Sequence, residues 1–185
     1  MSRETRFAWQ GMLVLLLPFV VLFAALVLRW SGEYRGIPES IELLPESVQW
    51  EELQTFTGRS RWRLLLLAQP RCNAHCQAQL TQLQLWRTAM GRRSRQLDIV
   101  YLYTNGDGFT EAALSAALPS QSQGVLFQSV SPGLWDAMAE LADPTELASG
   151  QPPVFVMDPA QRVIARVPAA ASSQAVLDDL SVLVR

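Results

Sequence analysis

An α/β domain with a mixed sheet flanked by helices, carried on one N-terminal transmembrane helix, is the fold class this sequence predicts. Three observations predict it. Phe7 to Leu28 is a run of 22 residues without a charge. After residue 47, short apolar runs alternate with amphipathic segments, the pattern of a sheet covered by helices. Near the C-terminus two strand-like runs are joined by a tight turn, which makes one pairing antiparallel and the sheet mixed.

The uncharged run comes first. A helix rises about 1.5 Å per residue, so it is long enough for a hydrocarbon core of roughly 30 Å. Trp9 and Trp30 bracket it as interfacial anchors do. Pro18 stands in its middle, where spanning helices tolerate proline. A cleaved signal peptide is the rival, but its apolar region runs roughly 7–15 residues and ends at a small-residue site. Here Arg29 and Trp30 follow instead. The expected division is a cytoplasmic tail at 1–6, an anchor at 7–30 in contact with lipid, a linker at 31–47 rich in Gly, Pro, Ser and Glu, and a domain at 48–185. Arg3 and Arg6 before the span and Arg29 and Arg35 after it give little asymmetry. A short tail inside and a large domain outside is the simpler arrangement. In a bacterium that is a single-pass inner-membrane protein with a periplasmic domain.

Arg63 to Ala68 (RLLLLA) has the continuous apolarity of a central strand. Pro70 ends it. Cys76, Leu80, Leu83 and Met90 then fall at near-helical spacing, which predicts an amphipathic helix over 72–90. Arg87, Arg92 and Arg93 gather at its C-terminal end, where cations suit the helix dipole. Leu97 to Tyr103 is the next strand and Thr104 to Gly108 a turn. Residues 110–118 form a short helix, and Gly124 to Gln128 a strand. Ser131-Pro132 opens another helix with a cap and a proline at its first position. Val154 to Met157 and Arg162 to Val167 are the hairpin strands around the turn at Asp158 to Gln161. Ser172 and Ser173 cap a last helix whose Val176, Leu177, Leu180, Leu183 and Val184 line one face.

The formal net charge is −2, and all 15 basic residues are arginine. Coding bias accounts for the missing lysine, and no basic face points to nucleic acid as a partner. The chemistry rests on the two cysteines, Cys72 and Cys76, in Cys72-Asn73-Ala74-His75-Cys76. They stand between a strand and a helix. Sulfur at a helix N-terminus meets free backbone N–H groups and the positive dipole end, which favour thiolate. Arg71 adds a nearby positive charge. Thiolate attacks disulfides and binds soft metals. The plainer alternative is a static disulfide or a core thiol, but so short a loop constrains the unfolded chain little. In the redox version Cys72 is the exposed attacker and Cys76 the shielded resolving thiol. The i, i+4 spacing brings the sulfurs together only with some distortion of the first turn. In the metal version the reduced pair takes Cu(I), and His75, the only histidine, is a candidate third ligand with Cys72 and Cys76. The alternative for His75 is a solvated rim position. Pro152, in Gly150-Gln151-Pro152-Pro153, precedes a strand in a loop near the cysteines, where proline is either cis or an ordinary strand leader.

These segments together resemble the thioredoxin superfamily, in its membrane-anchored TlpA-like and Sco-like branches, over roughly residues 43–185. The late TlpA-like motif G-x-P-x-x-F-x-x-D is met by Gly150, Pro152, Phe155 and Asp158, and Val163 and Ala165 continue the hairpin. On this match Pro152 corresponds to the family's cis-proline, so a cis Gln151–Pro152 bond beside the cysteines is expected. Gln161 departs, standing where the family usually has glycine. The cysteine motif departs too, as C-x-x-x-C without a preceding tryptophan rather than W-C-x-x-C. C-x-x-x-C after a strand is the Sco pattern, in which both cysteines bind copper. The Sco histidine before the late strand has no counterpart in 147–153. Short anchored proteins of the cytochrome c oxidase assembly type share the anchor, the "LLL…C-x-x-x-C" segment and the late stretch seen here as Asp158-Pro159 and Arg166-Val167-Pro168. The resemblance implies thiol–disulfide exchange or Cu(I) handling, with a protein partner in oxidase assembly. The rival from another class is a non-catalytic anchored scaffold.

Overall fold

The computed structural model describes residues 40–55, 61–68, 72–104, 111–112 and 124–184. Strand β1 spans Glu42–Val48, β2 Trp62–Leu67, β3 Leu97–Thr104, β4 Val125–Val130, β5 Val154–Met157 and β6 Val163–Val167. Helix α1 spans Ala74–Ala89, α2 Pro132–Glu140, α3 Pro144–Ser149 and α4 Ser173–Leu183. Short 3-10 turns cover Glu51–Thr55 and Gly91–Gln96. The strands form one sheet in the order β1-β6-β5-β2-β3-β4. Pairings β2–β3 and β3–β4 are parallel, while β2–β5, β5–β6 and β1–β6 are antiparallel. This is the mixed, helix-flanked sheet the alternation predicts.

Strand β2 is central and covered on both faces, which is why its sequence is apolar without alternation. Side chains alternate across a strand. Leu64 and Leu66 therefore join the layer under α1 and α4, with Leu80, Leu83, Trp86, Val176 and Leu180. Leu65 and Leu67 join the layer under α2, with Leu134, Met138 and Phe155. Each such leucine contributes about 1.5–3 kcal/mol by leaving water. Trp86, rather than Met90, completes the buried stripe of α1, and Met90 becomes its C-cap. On α4, Val176, Leu180 and Val184 are buried, while Leu177 and Leu183 are partly so. The caps form as expected: Ser131 accepts from the N–H of Leu134 and Ser172 from that of Ala175.

One boundary is corrected. Residues 42–47, expected to end the linker, form edge strand β1 together with Val48, with Glu42 opposite Arg166 and Leu43 opposite Ala165. Its proline and glutamates read as linker because an edge strand tolerates both: only one side pairs, and charge protects the other. The domain therefore starts before residue 48. Ile41 is buried, and the N–H groups of Ser40 and Ile41 donate to Asp179 on α4.

The β5–β6 turn explains the family departure at Gln161. Asp158 is 6% exposed and accepts from the N–H and the guanidinium of Arg162. Gln161 takes a left-handed φ of 65°, alone among non-glycine residues described. The turn keeps the geometry that usually calls for glycine.

Among the described residues no helix is long and apolar enough to cross a membrane. The expected anchor at 7–30 lies outside them, as do Pro70, Arg71, the turn at 105–108 and, apart from helical Glu111–Ala112, the helix at 110–118.

Candidate functional site

The site forms where the chain leaves β2, at the carboxyl end of the parallel strands. Extended Asn73 (φ −74°, ψ −177°) caps α1, its Oδ1 accepting from the N–H of Cys76 at 2.9 Å. Cys72 precedes the cap and lies outside the helix. The expected distortion of the first turn is therefore not needed. The extended cap brings the Cα atoms to 5.1 Å, within disulfide reach, and Cys72 and Cys76 are joined. The two sulfurs differ in access: Cys72 is half-buried and Cys76 is 3% exposed, packed with Leu80 and Leu83.

Beneath Cys76 lies Tyr101, on β3 in the centre of the sheet and fully buried. Its hydroxyl is 3.8 Å from the Cys76 sulfur. Burial pushes its ionisation up to about 12. Its ring packs on Phe127 at 5.5 Å between centroids.

Beside the disulfide is a cleft of about 250 Å³, bounded by Asn73 and Cys76, by Trp135 and Leu147, and by the loop Gly150–Pro153. Several contacts hold that loop. Gly150, at φ 73°, caps α3 with its N–H directed to the carbonyls of Glu146 and Leu147. Its own carbonyl accepts from Asn73 Nδ2 at 3.4 Å. The Pro153 carbonyl accepts from the N–H of Leu67 at 3.1 Å. The Glu146 carboxylate anchors α3 by accepting from the N–H of Ala169 at 2.7 Å.

Pro152 is buried at the cleft, as expected from its register, but the Gln151–Pro152 bond is trans. The expected cis bond is thus corrected. Left-handed Gly150 turns the chain out of α3, and the prolyl bond keeps its intrinsically preferred isomer. His75 is exposed at the second residue of α1. Among the described residues no group of three or more His, Cys, Asp or Glu side chains is placed to hold a metal ion. The described residues therefore offer two sulfurs once reduced, with no third such ligand beside them.

Sequence reasoning missed three contributors. Asn73 ties the cysteine loop to the proline loop, and an Asn opening a helix is a cap signature that was there to use. Tyr101 reads as one more apolar strand residue, although a hydroxyl in an apolar central strand requires a partner. Trp135 had no signal beyond its helix.

Several solved structures share the fold at low identity. Yeast Sco1 with copper bound superposes with a TM-score of 0.53 at 12% identity, over 66% of this chain and 77% of that one. Arabidopsis thaliana ScoI with copper bound gives 0.51 at 11%, over 66% and 83%. Bradyrhizobium japonicum ScoI with copper bound gives 0.51 at 14%, over 68% and 86%. No curated protein sequence matches the chain. A family model described as "Transmembrane-like, thioredoxin-like, C-terminal domain" matches residues 62–185, two thirds of the chain and all of its helix-flanked strands from β2 onward. The chain belongs to this transmembrane-like, thioredoxin-like family.

Proposed function

We propose that this protein exchanges thiols and disulfides with a protein partner through Cys72 and Cys76. The observation that carries the reading is the asymmetry of the pair: a formed disulfide with one reachable sulfur and one shielded sulfur, at the mouth of an apolar cleft. A partner thiolate attacks the Cys72 sulfur. A new S–S bond forms between partner and Cys72, the Cys72–Cys76 bond breaks, and its electron pair goes to Cys76. A second partner thiolate then attacks the partner's own sulfur in that mixed disulfide. It releases Cys72 as thiolate and leaves the partner oxidised and the domain reduced. Run backward, the steps reduce a partner disulfide. The helix N-terminus beside Cys72 favours its thiolate in either direction.

The uncharged run at 7–28 supports an uncleaved anchor, with the domain on the periplasmic side of a bacterial inner membrane. The partner belongs, in this reading, to respiratory oxidase assembly. A second reading has one specific support, the copper bound in the Sco structures named above: the reduced pair carries Cu(I) as cargo, with His75 or a donor from the partner completing its coordination.

The test uses the full-length chain in detergent. The Cys76→Ser variant is expected to trap mixed disulfides through Cys72, and Cys72→Ser to trap none. A Cu(I) titration of the reduced protein reads the second chemistry. A protein that neither exchanges with a model disulfide nor binds Cu(I) is a scaffold, and both readings fall.

A further inference from the structure

Thiol exchange as set out above does not account for a tyrosine at position 101. Phenylalanine would fill the same space against Phe127, and a hydroxyl carried into an apolar core costs free energy unless it is hydrogen-bonded. The Tyr101 hydroxyl is 3.8 Å from the Cys76 sulfur, within reach for an acceptor as large as sulfur. A disulfide sulfur bears no hydrogen, so the hydroxyl is the donor.

Cys76 has need of one. It is the third residue of α1, and its own N–H is already directed to Asn73 Oδ1. It is 3% exposed, so water solvates it poorly. Of the side chains lining the adjoining cleft, only that of Cys76 is ionisable. His75 is exposed, and the two buried charged residues among those described, Arg63 and Asp158, stand together at the end of β2 and β5 away from the cysteines. Tyr103 lies further along β3 in the same layer, where burial and, to a lesser degree, the charge of Glu111 raise its ionisation.

We propose that the Tyr101 hydroxyl donates a hydrogen bond to the Cys76 sulfur and holds the Cys76 thiolate that forms whenever the disulfide opens. The inference rests on the exchange reading of the same two cysteines. When a partner thiolate attacks Cys72, the pair of electrons from the broken bond lands on Cys76. The partner sulfur is oxidised, the Cys76 sulfur is reduced, and no proton moves in the step. A disulfide sulfur is a weak acceptor and a thiolate a strong one, so the bond gains strength as the reaction proceeds. That differential is what lowers a barrier. A phenol is protonated at neutral pH, and burial moves its ionisation still further away, which makes it a standing donor and neither a base nor a source of protons. In the reverse direction the same bond orients Cys76 as it attacks the mixed disulfide.

The test is a thiolate titration of Cys76 by ultraviolet absorbance in full-length Cys72→Ser, with and without Tyr101→Phe. Loss of the hydroxyl is expected to raise the Cys76 pKa by about one unit, or about tenfold less thiolate at a given pH below it. In the chain with both cysteines, opening of the disulfide by dithiothreitol is expected to slow about tenfold. Tyr103→Phe should leave both readouts alone. Should Tyr101→Phe not fold, 3-fluorotyrosine at 101 preserves the packing, and its more acidic phenol should lower the Cys76 pKa. An unchanged titration in a folded variant overturns the proposal. The titration involves no partner, so its result is separate from that of the exchange reading: a protein active in exchange with an unmoved Cys76 titration loses only the tyrosine's role.

Discussion

Removing the side chain of Asn73 tests how the site is held together. Asn73→Ala deletes the acceptor for the Cys76 N–H at 2.9 Å and the donor to the Gly150 carbonyl at 3.4 Å. Loss of an N-cap typically costs about 1 kcal/mol. The second bond is long and solvent-exposed, and adds about 0.5 kcal/mol or less. The sum, about 1–1.5 kcal/mol, corresponds in a domain of this size to a fall in melting temperature of about 3–5 °C. Redox state should matter. In the oxidised protein the disulfide also pins the start of α1, whereas in the reduced protein the cap works alone, so the loss should be larger after reduction. Thermal unfolding followed by circular dichroism, with and without reductant, measures both. Asn73→Asp keeps the acceptor, adds a negative charge at the helix N-terminus and loses only the donor. It should recover most of the stability. A fully stable Asn73→Ala, or an Asn73→Asp as weak as Asn73→Ala, would refute the reasoning.

Two further outcomes are expected. Gln161→Gly relieves a left-handed backbone that costs a non-glycine residue about 1–2 kcal/mol, against about 0.5–1 kcal/mol of extra chain entropy lost on folding. A gain of about 0.5 kcal/mol in urea unfolding is expected, and a loss would mean the Gln161 side chain contributes to the turn. Tyr101 binds its proton more tightly when folded, with its ionisation pushed to about 12 from an ordinary value near 10. Its contribution is then fully present below about pH 10 and is lost as pH rises towards 12. Alkaline unfolding should steepen in that window, and Tyr101→Phe should flatten it.

The core was legible in the sequence because burial and periodicity are local. Leu64 to Leu67 announced a strand covered on both faces, and Cys76, Leu80 and Leu83 announced the inner face of α1. Ser131-Pro132 and Ser172 marked helix starts through their own side chains. What escaped reading depended on partners distant in the chain. Strand β1 exists because β6 offers it an edge, and nothing within Glu42–Val48 declares that pairing. Helix α3 is six residues long, under two turns and too short for its apolar spacing to repeat, and is fixed by Asp143 as its cap and Glu146 as its tie to Ala169. The prolyl isomer at 152 was inferred from register, yet register places a residue without choosing its bond. Gln161 departs from the family pattern, and the left-handed turn it occupies is a property of the backbone that its side chain does not signal.

The asymmetry of the cysteines also orders the two proposed chemistries. Exchange needs one sulfur within reach of a partner and a second that waits out of reach, then displaces or is displaced. Cys72, ahead of the cap and half-buried, meets the first requirement. Cys76, one turn in and packed on Leu80 and Leu83, meets the second. Copper binding makes a different demand, that donors converge on one point from several directions. Here two sulfurs come from one short segment, and the loop across the cleft contributes glycine, glutamine and two prolines, none of them a soft ligand. The proposed exchange would ask of this chain only its own two sulfurs, whereas the proposed hold on Cu(I) would need a further donor joining the pair.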